Sequence, residues 1–348
     1  MPLLKVEDIT CQYDEEKVFE SLSFHVNQGE IVSLLGPSGC GKTTALRAIA
    51  GFEPLTEGSI RINGNIVAHS EGAVPPEKRH IGMVFQDYAL FPHLNVEKYI
   101  TFGLRHLPRS AQAEQVQNMI NAVGLEGFEK RFPHELSGGQ QQRLALARAL
   151  APHPNLLLMD EPFSNLDIEL RERLSIEVRD ILKKVGITGI LVTHDQHEAF
   201  AISDKVGVMQ NGQILQWDTP YNLYHEPVDR FVADFIGQGT FIKATVISED
   251  MFDTPIGQLK ANRAYPLEQN SKVEILFRPD DIIPDKHGAI EATIIEKAFK
   301  GAEILYTLVL ASGQTLLSLF PSHCNHPIGK KVRVNAALDH LICFPLQE

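Results

Sequence analysis

At 348 residues, with 43% hydrophobic and 22% charged side chains and no low-complexity tract, the sequence reads as a soluble globular protein with room for one large and one smaller domain. A formal net charge of −12 argues against nucleic acid as the main partner. No apolar run reaches the ~18–20 residues that cross a bilayer, and MPLLKVEDIT lacks the basic start and apolar stretch of a signal peptide. The four cysteines (Cys11, Cys40, Cys324, Cys343) lie far apart without CxxC spacing, so neither a zinc site nor a disulfide framework is indicated. A reduced, cytoplasmic protein is expected.

Residues 3–35 alternate short β-like runs with turns and end in EIVSLL, apolar enough for a buried strand. GPSGCGKT follows, then TALRAIAGF, a helix closed by Gly51. SIRINGNIVA signals a hairpin around Asn63-Gly64. Residues 95–151 read as mainly helical, with QAEQVQNMINAVG the plainest amphipathic piece. NLLLMDEP is another buried strand, IELRERLSIEVRDILKKVG a long amphipathic helix, and GILVTHD and VGVMQNG restore strands, the last with an Asn211-Gly212 turn. Strands alternating with helices predict an α/β fold with a mostly parallel sheet covered by helices. After about residue 236 the pattern changes to short β-rich runs: FIKATVI, KVEILF, AIEATII, ILYTLVLA, QTLLSLF and KVRVNAAL. A domain boundary near FIGQGT is expected, dividing 1–236 from a small all-β barrel at 237–348.

Gly36, Pro37, Ser38, Gly39, Cys40, Gly41, Lys42 and Thr43 match GxxxxGK[ST] between a strand and a helix, with Thr44 next in the helix. Such a loop surrounds phosphates with backbone N–H groups and a helix N-terminus, and its glycines let the backbone come close. Lys42 is expected to reach the β- and γ-phosphates, and the Thr43 hydroxyl to bind Mg2+. The chain therefore reads as a binder of a nucleoside triphosphate. LLLMD ends in Asp160, placed to hold magnesium through water, and Glu161 can polarise a water for attack on the γ-phosphate. Outside this context a DE pair is as readily a structural salt bridge. His194 in LVTHDQ and Gln86 after HIGMVF also end strands, where the loop ends of a parallel sheet gather. Gln86 can ligate magnesium or orient water through its amide oxygen.

These residues resemble an ATP-binding-cassette transporter ATPase. The phosphate loop, Gln86, the LSGGQ signature (Ser137, Gly138, Gly139, Gln140), the Asp160-Glu161 pair, the segment Ser164-Asn165-Leu166-Asp167 and His194 occur in family order, covering residues 1 to about 236. The resemblance implies a P-loop NTPase cassette: a RecA-like core with a helical subdomain and an antiparallel β subdomain, followed by a small OB-like domain. It makes ATP and Mg2+ the cofactors, Tyr13 the residue stacked on adenine, and Lys42, Gln86, Glu161 and His194 the catalytic set.

LSGGQQQR has the parts of an anion site: a hydroxyl, accessible N–H groups and a positive helix end. Simple N-capping explains Ser137 without explaining both glycines. The resemblance implies that two cassettes pack head to tail as a homodimer, each signature closing over ATP held by the other, with Asp167 coupling the sites. It also implies integral-membrane permease subunits, docking near DYALFPHL (87–94), and an indirect link to a periplasmic binding protein. The chain would sit peripherally on the cytoplasmic face of the inner membrane. The β-rich tail with LFRPDD resembles the regulatory domains of importer ATPases, although FRPDD departs from the usual RPE-type sequence. The phrases EPFSNLD, EVRDIL, THDQHEAFA, QWDTPYNLYHEP and FIGQGTF look most similar to the ferric-ion importer branch. Sugar, polyamine, sulfate and molybdate branches share most of the pattern. A soluble cassette ATPase of translation or DNA repair, and a P-loop small-molecule kinase, are the readings from other classes.

Overall fold

The computed structural model describes residues 2–105, 107–338 and 340–346. The chain divides into two units, Met1–Pro220 and Tyr221–Glu348.

The first unit opens with a long antiparallel ribbon, β1 (Pro2–Tyr13) and β2 (Glu16–Asn27). β3 (Ile31–Leu35) then leads through the glycine-rich loop into α1 (Lys42–Ala50). β4 (Glu57–Ile62), β5 (Asn65–His69) and β6 (Gly72–Ala73) complete an antiparallel sheet of order β2-β1-β4-β5-β6. The β4–β5 turn uses the expected pair: Asn63 and Gly64 both have positive φ (50° and 77°), as a two-residue hairpin loop requires.

β7 (Ile81–Val84) is followed by α2 (Val96–Gly103), α3 (Arg109–Val123) and α4 (Gly138–Leu150). Then come β8 (Leu156–Asp160), α5 (Ile168–Val185), β9 (Thr188–Thr193), α6 (Gln196–Ile202), β10 (Lys205–Gln210) and β11 (Gln213–Asp218). These strands and β3 form a sheet of order β11-β10-β3-β9-β8-β7, parallel except for the β10–β11 hairpin. β3, β8 and β9 are buried along their whole length, which explains why they read as unbroken apolar runs. Successive side chains point to opposite faces, so the sheet separates two cores. Leu157, Met159 and Leu191 pack with α2–α5, whereas Leu156, Leu158, Ile190 and Val192 pack with α1 and the antiparallel sheet.

The second unit begins with the end of α7 (Pro220–His225) and α8 (Arg230–Phe235), upstream of the change in sequence character at 236–237. β12 (Thr240–Ser248), β13 (Met251–Thr254), β14 (Gly257–Lys260) and β15 (Lys272–Phe277) precede β16 (Ile282–Pro284), β17 (Ile290–Phe299) and β18 (Glu303–Leu310). β19 (Thr315–Pro321), β20 (Lys331–Ala336) and β21 (Ile342–Pro345) follow. Two antiparallel sheets result, β14-β13-β12-β15-β21 and β16-β20-β17-β18-β19. Both feed one core through alternating residues, among them Ile242, Phe252, Phe277, Tyr306, Phe320 and Val334.

LFRPDD has a structural use here. Arg278 is 2% exposed. Its Nη1 donates to the carbonyls of Gly237 (2.7 Å) and Gln238 (3.4 Å), and its Nη2 to that of Tyr224 (3.4 Å). The guanidinium also lies 4.5 Å from the Tyr224 ring centroid, and Asp281 accepts the Arg278 backbone N–H at 2.7 Å. The motif therefore fastens the connecting segment to the β-rich body, and the departure from RPE leaves that clasp intact. Arg278→Ala is expected to destabilise this unit by about 2–3 kcal/mol, because buried carbonyls lose their donors. Thermal unfolding of the full chain checks this; an unchanged midpoint would make the clasp incidental.

Candidate active site

Strand register assembles the site. Leu35 of β3 lies opposite Thr193 of β9, Asp160 of β8 opposite Val192, and Val84 of β7 opposite Met159. The parallel strands therefore run out together, and the residues that follow them emerge on one edge: the Gly36 loop, Glu161, His194 and Phe85-Gln86. This is the carboxyl edge where ligands bind in such sheets.

The loop needs its glycines for separate reasons. A Cβ on Gly36 would lie 2.2 Å from the Met209 carbonyl oxygen, so no side chain fits there. Gly41, with φ 100°, turns the chain into α1 and provides no side-chain cap, leaving the first N–H groups of the helix without a side-chain acceptor. Lys42 is only 5% exposed; its Nζ donates to the Gly36 and Pro37 carbonyls, both at 2.8 Å, and stands 3.6 Å from Cys40 Sγ. Among the described residues no carboxylate lies within ion-pair distance of this ammonium. A buried, unpaired cation over free amide groups is a site for an anion.

Thr43 Oγ1 donates to Asp160 Oδ1 at 3.0 Å. Asp160 is 8% exposed, and burial raises its pKa above the usual carboxylate range, with the charge of Glu161 adding to the effect; the Thr43 hydrogen bond, Arg47 and Lys42 oppose it. The hydroxyl, the carboxylate and the Gln86 amide oxygen are hard oxygen donors, the chemistry that suits Mg2+.

Glu161 takes a positive φ of 43°, uncommon for a glutamate, just beyond the end of β8. Its N–H donates to the Val192 carbonyl at 2.9 Å, and its carbonyl accepts from Ser164 N–H (3.2 Å) and Ser164 Oγ (3.0 Å). Glu161 Oε2 stands 3.2 Å from Nδ1 of His194, whose side chain is 51% exposed. That contact is open to a neutral Nδ1–H tautomer and to the imidazolium alike. Gln86 is exposed, and its carbonyl accepts from Asn165 Nδ2 at 3.0 Å, tying its loop to Ser164–Asp167. Tyr13, at the end of β1, stands beside the start of α1. Its hydroxyl pKa is raised by burial and by Glu53, with Thr44 acting the other way.

The signature stands apart: among the described residues no hydrogen bond or ion pair joins Ser137–Gln140 to Gly36–Thr43. Ser137 and Gln140 form a reciprocal capping box, Ser137 N–H to Gln140 Oε1 (2.9 Å) and Gln140 N–H to Ser137 Oγ (3.4 Å). The two glycines, unexplained by capping, have a local packing reason. A Cβ on Gly138 would press Leu166 at 3.0 Å, and one on Gly139 would press Leu174 at 3.0 Å. Asp167, expected to couple two sites, is here the N-cap of α5, its Oδ1 accepting Leu170 N–H at 3.0 Å.

Two arginines that the sequence did not single out belong to the site's support. Arg79, 3% exposed, donates to the Ala48 (2.9 Å) and Ile49 (2.7 Å) carbonyls at the C-terminus of α1, where a cation complements the helix dipole. Arg171 joins the Leu166 carbonyl to Asp195 and Glu198. Neither had a local sequence signal, since their partners lie in other elements.

Residues 19–164 match the family model described as ABC transporter, and residues 275–344 that described as TOBE domain. The spermidine/putrescine import ATP-binding protein PotA of Acetivibrio thermocellus is 41% identical over 315 residues, 89% of this chain and 88% of that protein. Among solved structures, cbiO1 of Clostridium perfringens, part of the ABC transporter complex cbiONQ, matches with a TM-score of 0.60 and 28% identity, covering 65% of this chain and 91% of that one. The chain belongs to the ABC transporter family, as an ATPase cassette followed by a TOBE domain. The expected ferric-ion branch is not supported: the relative at 41% identity is named for polyamine import.

Asp160 yields a prediction of opposite signs. Its folded-state pKa lies above the unfolded value, so its ionisation opposes folding, increasingly as pH rises through the unfolded value and fully above the folded one. Asp160→Asn is therefore expected to raise the thermal midpoint of the nucleotide-free protein at pH 8, a gain that disappears in acid. Magnesium-dependent ATP turnover should fall by about 100-fold or more. Equal midpoints at pH 8, or undiminished turnover, would contradict it.

Proposed function

We propose that this chain is the ATP-hydrolysing subunit of an importer for polyamines of the spermidine and putrescine type, working at the cytoplasmic face of the membrane. The observation that carries this reading is 41% identity across 89% of the chain to a polyamine-import subunit, with the Gly36 loop, Gln86, Glu161 and His194 leaving the sheet on one edge. Since such a subunit does not touch the cargo, the choice of polyamine rests on that likeness alone. No helix among the described residues is long and apolar enough to cross a membrane, which suits a motor that works through separate permease subunits.

ATP would lie over the Gly36–Thr43 loop with Lys42 on its β- and γ-phosphates and Tyr13 against adenine. Thr43, Asp160 and Gln86 would hold magnesium, which when bound neutralises charge developing on the phosphate oxygens. Glu161 then takes the proton of the attacking water, and His194, 3.2 Å from it, steadies that carboxylate and the γ-phosphate. In a head-to-tail pair of chains, Ser137–Gly139 of each copy closes over the nucleotide of the other. Each charge-assisted hydrogen bond to the γ-phosphate contributes roughly 1.5–3 kcal/mol. A few such bonds reach the ~5.5 kcal/mol that inverts a two-state population, so hydrolysis returns the pair to its open form.

An open cleft of about 590 Å³, lined by Pro92, Gly127 and residues 129–132, 134 and 135, lies beside the segment that follows Gln86. It suits a permease's cytoplasmic helix, so that cleft and nucleotide are linked through Gln86 and its bond to Asn165.

Glu161→Gln is expected to lower ATP turnover by about 100- to 10,000-fold while retaining ATP and accumulating a dimer on gel filtration. Rapid hydrolysis by that variant would remove Glu161 from the role of base. The cargo is tested in liposomes carrying the chain with its permease and binding protein. ATP-driven uptake of labelled spermidine, with ferric iron, a sugar and an oxyanion left outside, is the expected result. Uptake of one of the others in its place would overturn the polyamine assignment.

A further inference from the structure

The loop that carries His194 is braced by a side chain of α5. Arg171, in the first turn of α5 and 18% exposed, spreads its guanidinium over three partners. Nη2 donates to the Leu166 carbonyl at 3.1 Å and Nη1 to Asp195 Oδ2 at 2.9 Å, while Nε lies 3.3 Å from Glu198 Oε1, an ion pair without a hydrogen bond. Glu198 is 3% exposed, and its other oxygen accepts a hydrogen bond from the Thr193 hydroxyl. The Asp195 N–H donates in turn to Thr193 Oγ1 at 3.0 Å, and Asp195 Oδ1 accepts the His197 N–H at 2.8 Å. Arg171 thus holds Asp195 directly and reaches Thr193 through Glu198, while His194 itself, half exposed, has its Nδ1 3.2 Å from Glu161 Oε2.

The same guanidinium reaches the opposite way. Leu166, whose carbonyl it grips, fills the space above Gly138 of the signature, and Asn165 beside it donates to the Gln86 carbonyl. A planar, always-charged fork suits such a three-way junction, whereas a lysine offers one point charge.

We propose that Arg171 is a positioning residue that sets His194 against Glu161 and ties the histidine's loop to the Ser164–Asp167 segment beside the signature. The proposal rests on the hydrolytic reading of Glu161 and His194. Through this junction, movement of Ser164–Asp167 when two copies close is delivered to the switch histidine as a change in its reach, and misplacement by even 1 Å costs about 100-fold in such reactions.

The test is steady-state ATPase of the full chain with Arg171→Met, Arg171→Lys, His194→Ala and the double variant Arg171→Met/His194→Ala. Nucleotide affinity is measured in parallel with a fluorescent ATP analogue. Arg171→Met is expected to lower kcat by about 10- to 100-fold with KM and analogue affinity within about twofold, and Arg171→Lys to fall between it and the parent. Added to His194→Ala it should lower kcat by less than about threefold more, because both changes remove one function. Since Arg171→Met leaves Glu198 buried without its cation, Arg171→Met/Glu198→Gln supplies a charge-balanced form that should fold and show the same kcat loss. Loss of analogue affinity in step with kcat in that balanced form, or full multiplication of the His194→Ala loss, would overturn the proposal in favour of a purely structural role. Near-parental turnover by His194→Ala would instead sink the catalytic reading beneath it, and this role for Arg171 with it.

Discussion

The register of β7, β8, β9 and β3 is the constraint on which the rest depends. Because Leu35, Thr193, Val192, Asp160, Met159 and Val84 lie abreast, the four chain segments leaving these strands must share one edge. No residue of the site chooses its neighbours; the sheet does. A one-residue slip in β8 would turn Leu156 and Leu158 from one core toward the other and carry Asp160 away from Thr43. Two separately packed cores therefore defend the alignment.

Around that edge the protein arranges charge unequally. Lys42 has two carbonyls and the Cys40 sulfur as its partners, burial raises the pKa of Asp160, and Glu161 stands in a rarely used backbone conformation. Each is unfavourable in the free protein, and under the proposed function bound magnesium–nucleotide would relieve it. The supporting arginines turn to the backbone: Arg79 and Arg278 donate to carbonyls, and Arg171 donates to the Leu166 carbonyl and Asp195 with Glu198 in ion-pair range.

Much of this was legible in sequence because it depends on local chemistry. Buried parallel strands are apolar runs, so EIVSLL, LLLMD and GILVT announced themselves. Gly51, Gly124 and Gly186 end helices in the left-handed conformation that only glycine adopts freely, and so mark α1, α3 and α5. What stayed hidden is long-range. The strand order, the use of Arg278 as a clasp and the reason for Gly138 and Gly139 all depend on residues brought in from elsewhere, such as Leu166 and Leu174 above the glycines. The ferric-ion reading is not supported for a related reason: under the proposed function cargo is met by other subunits, so phrases near the nucleotide site carry little information about it.

Ser137, Gly138 and Gly139 remain the residues whose position in one chain least explains them. Their capping box and leucine contacts account for a helix start, yet among the described residues no hydrogen bond joins the exposed Ser137 to the Gly36–Thr43 loop. The sharing of each nucleotide between two copies is best tested by a magnesium–ATP structure of the Glu161→Gln protein, in which the donors within hydrogen-bond distance of the γ-phosphate are identified chain by chain. Ser137 and the glycine amides should come from the opposite copy, with Lys42 from the copy holding the nucleotide. If every donor belongs to one chain, the ATP-gated dimer is wrong and the protein hydrolyses ATP by itself.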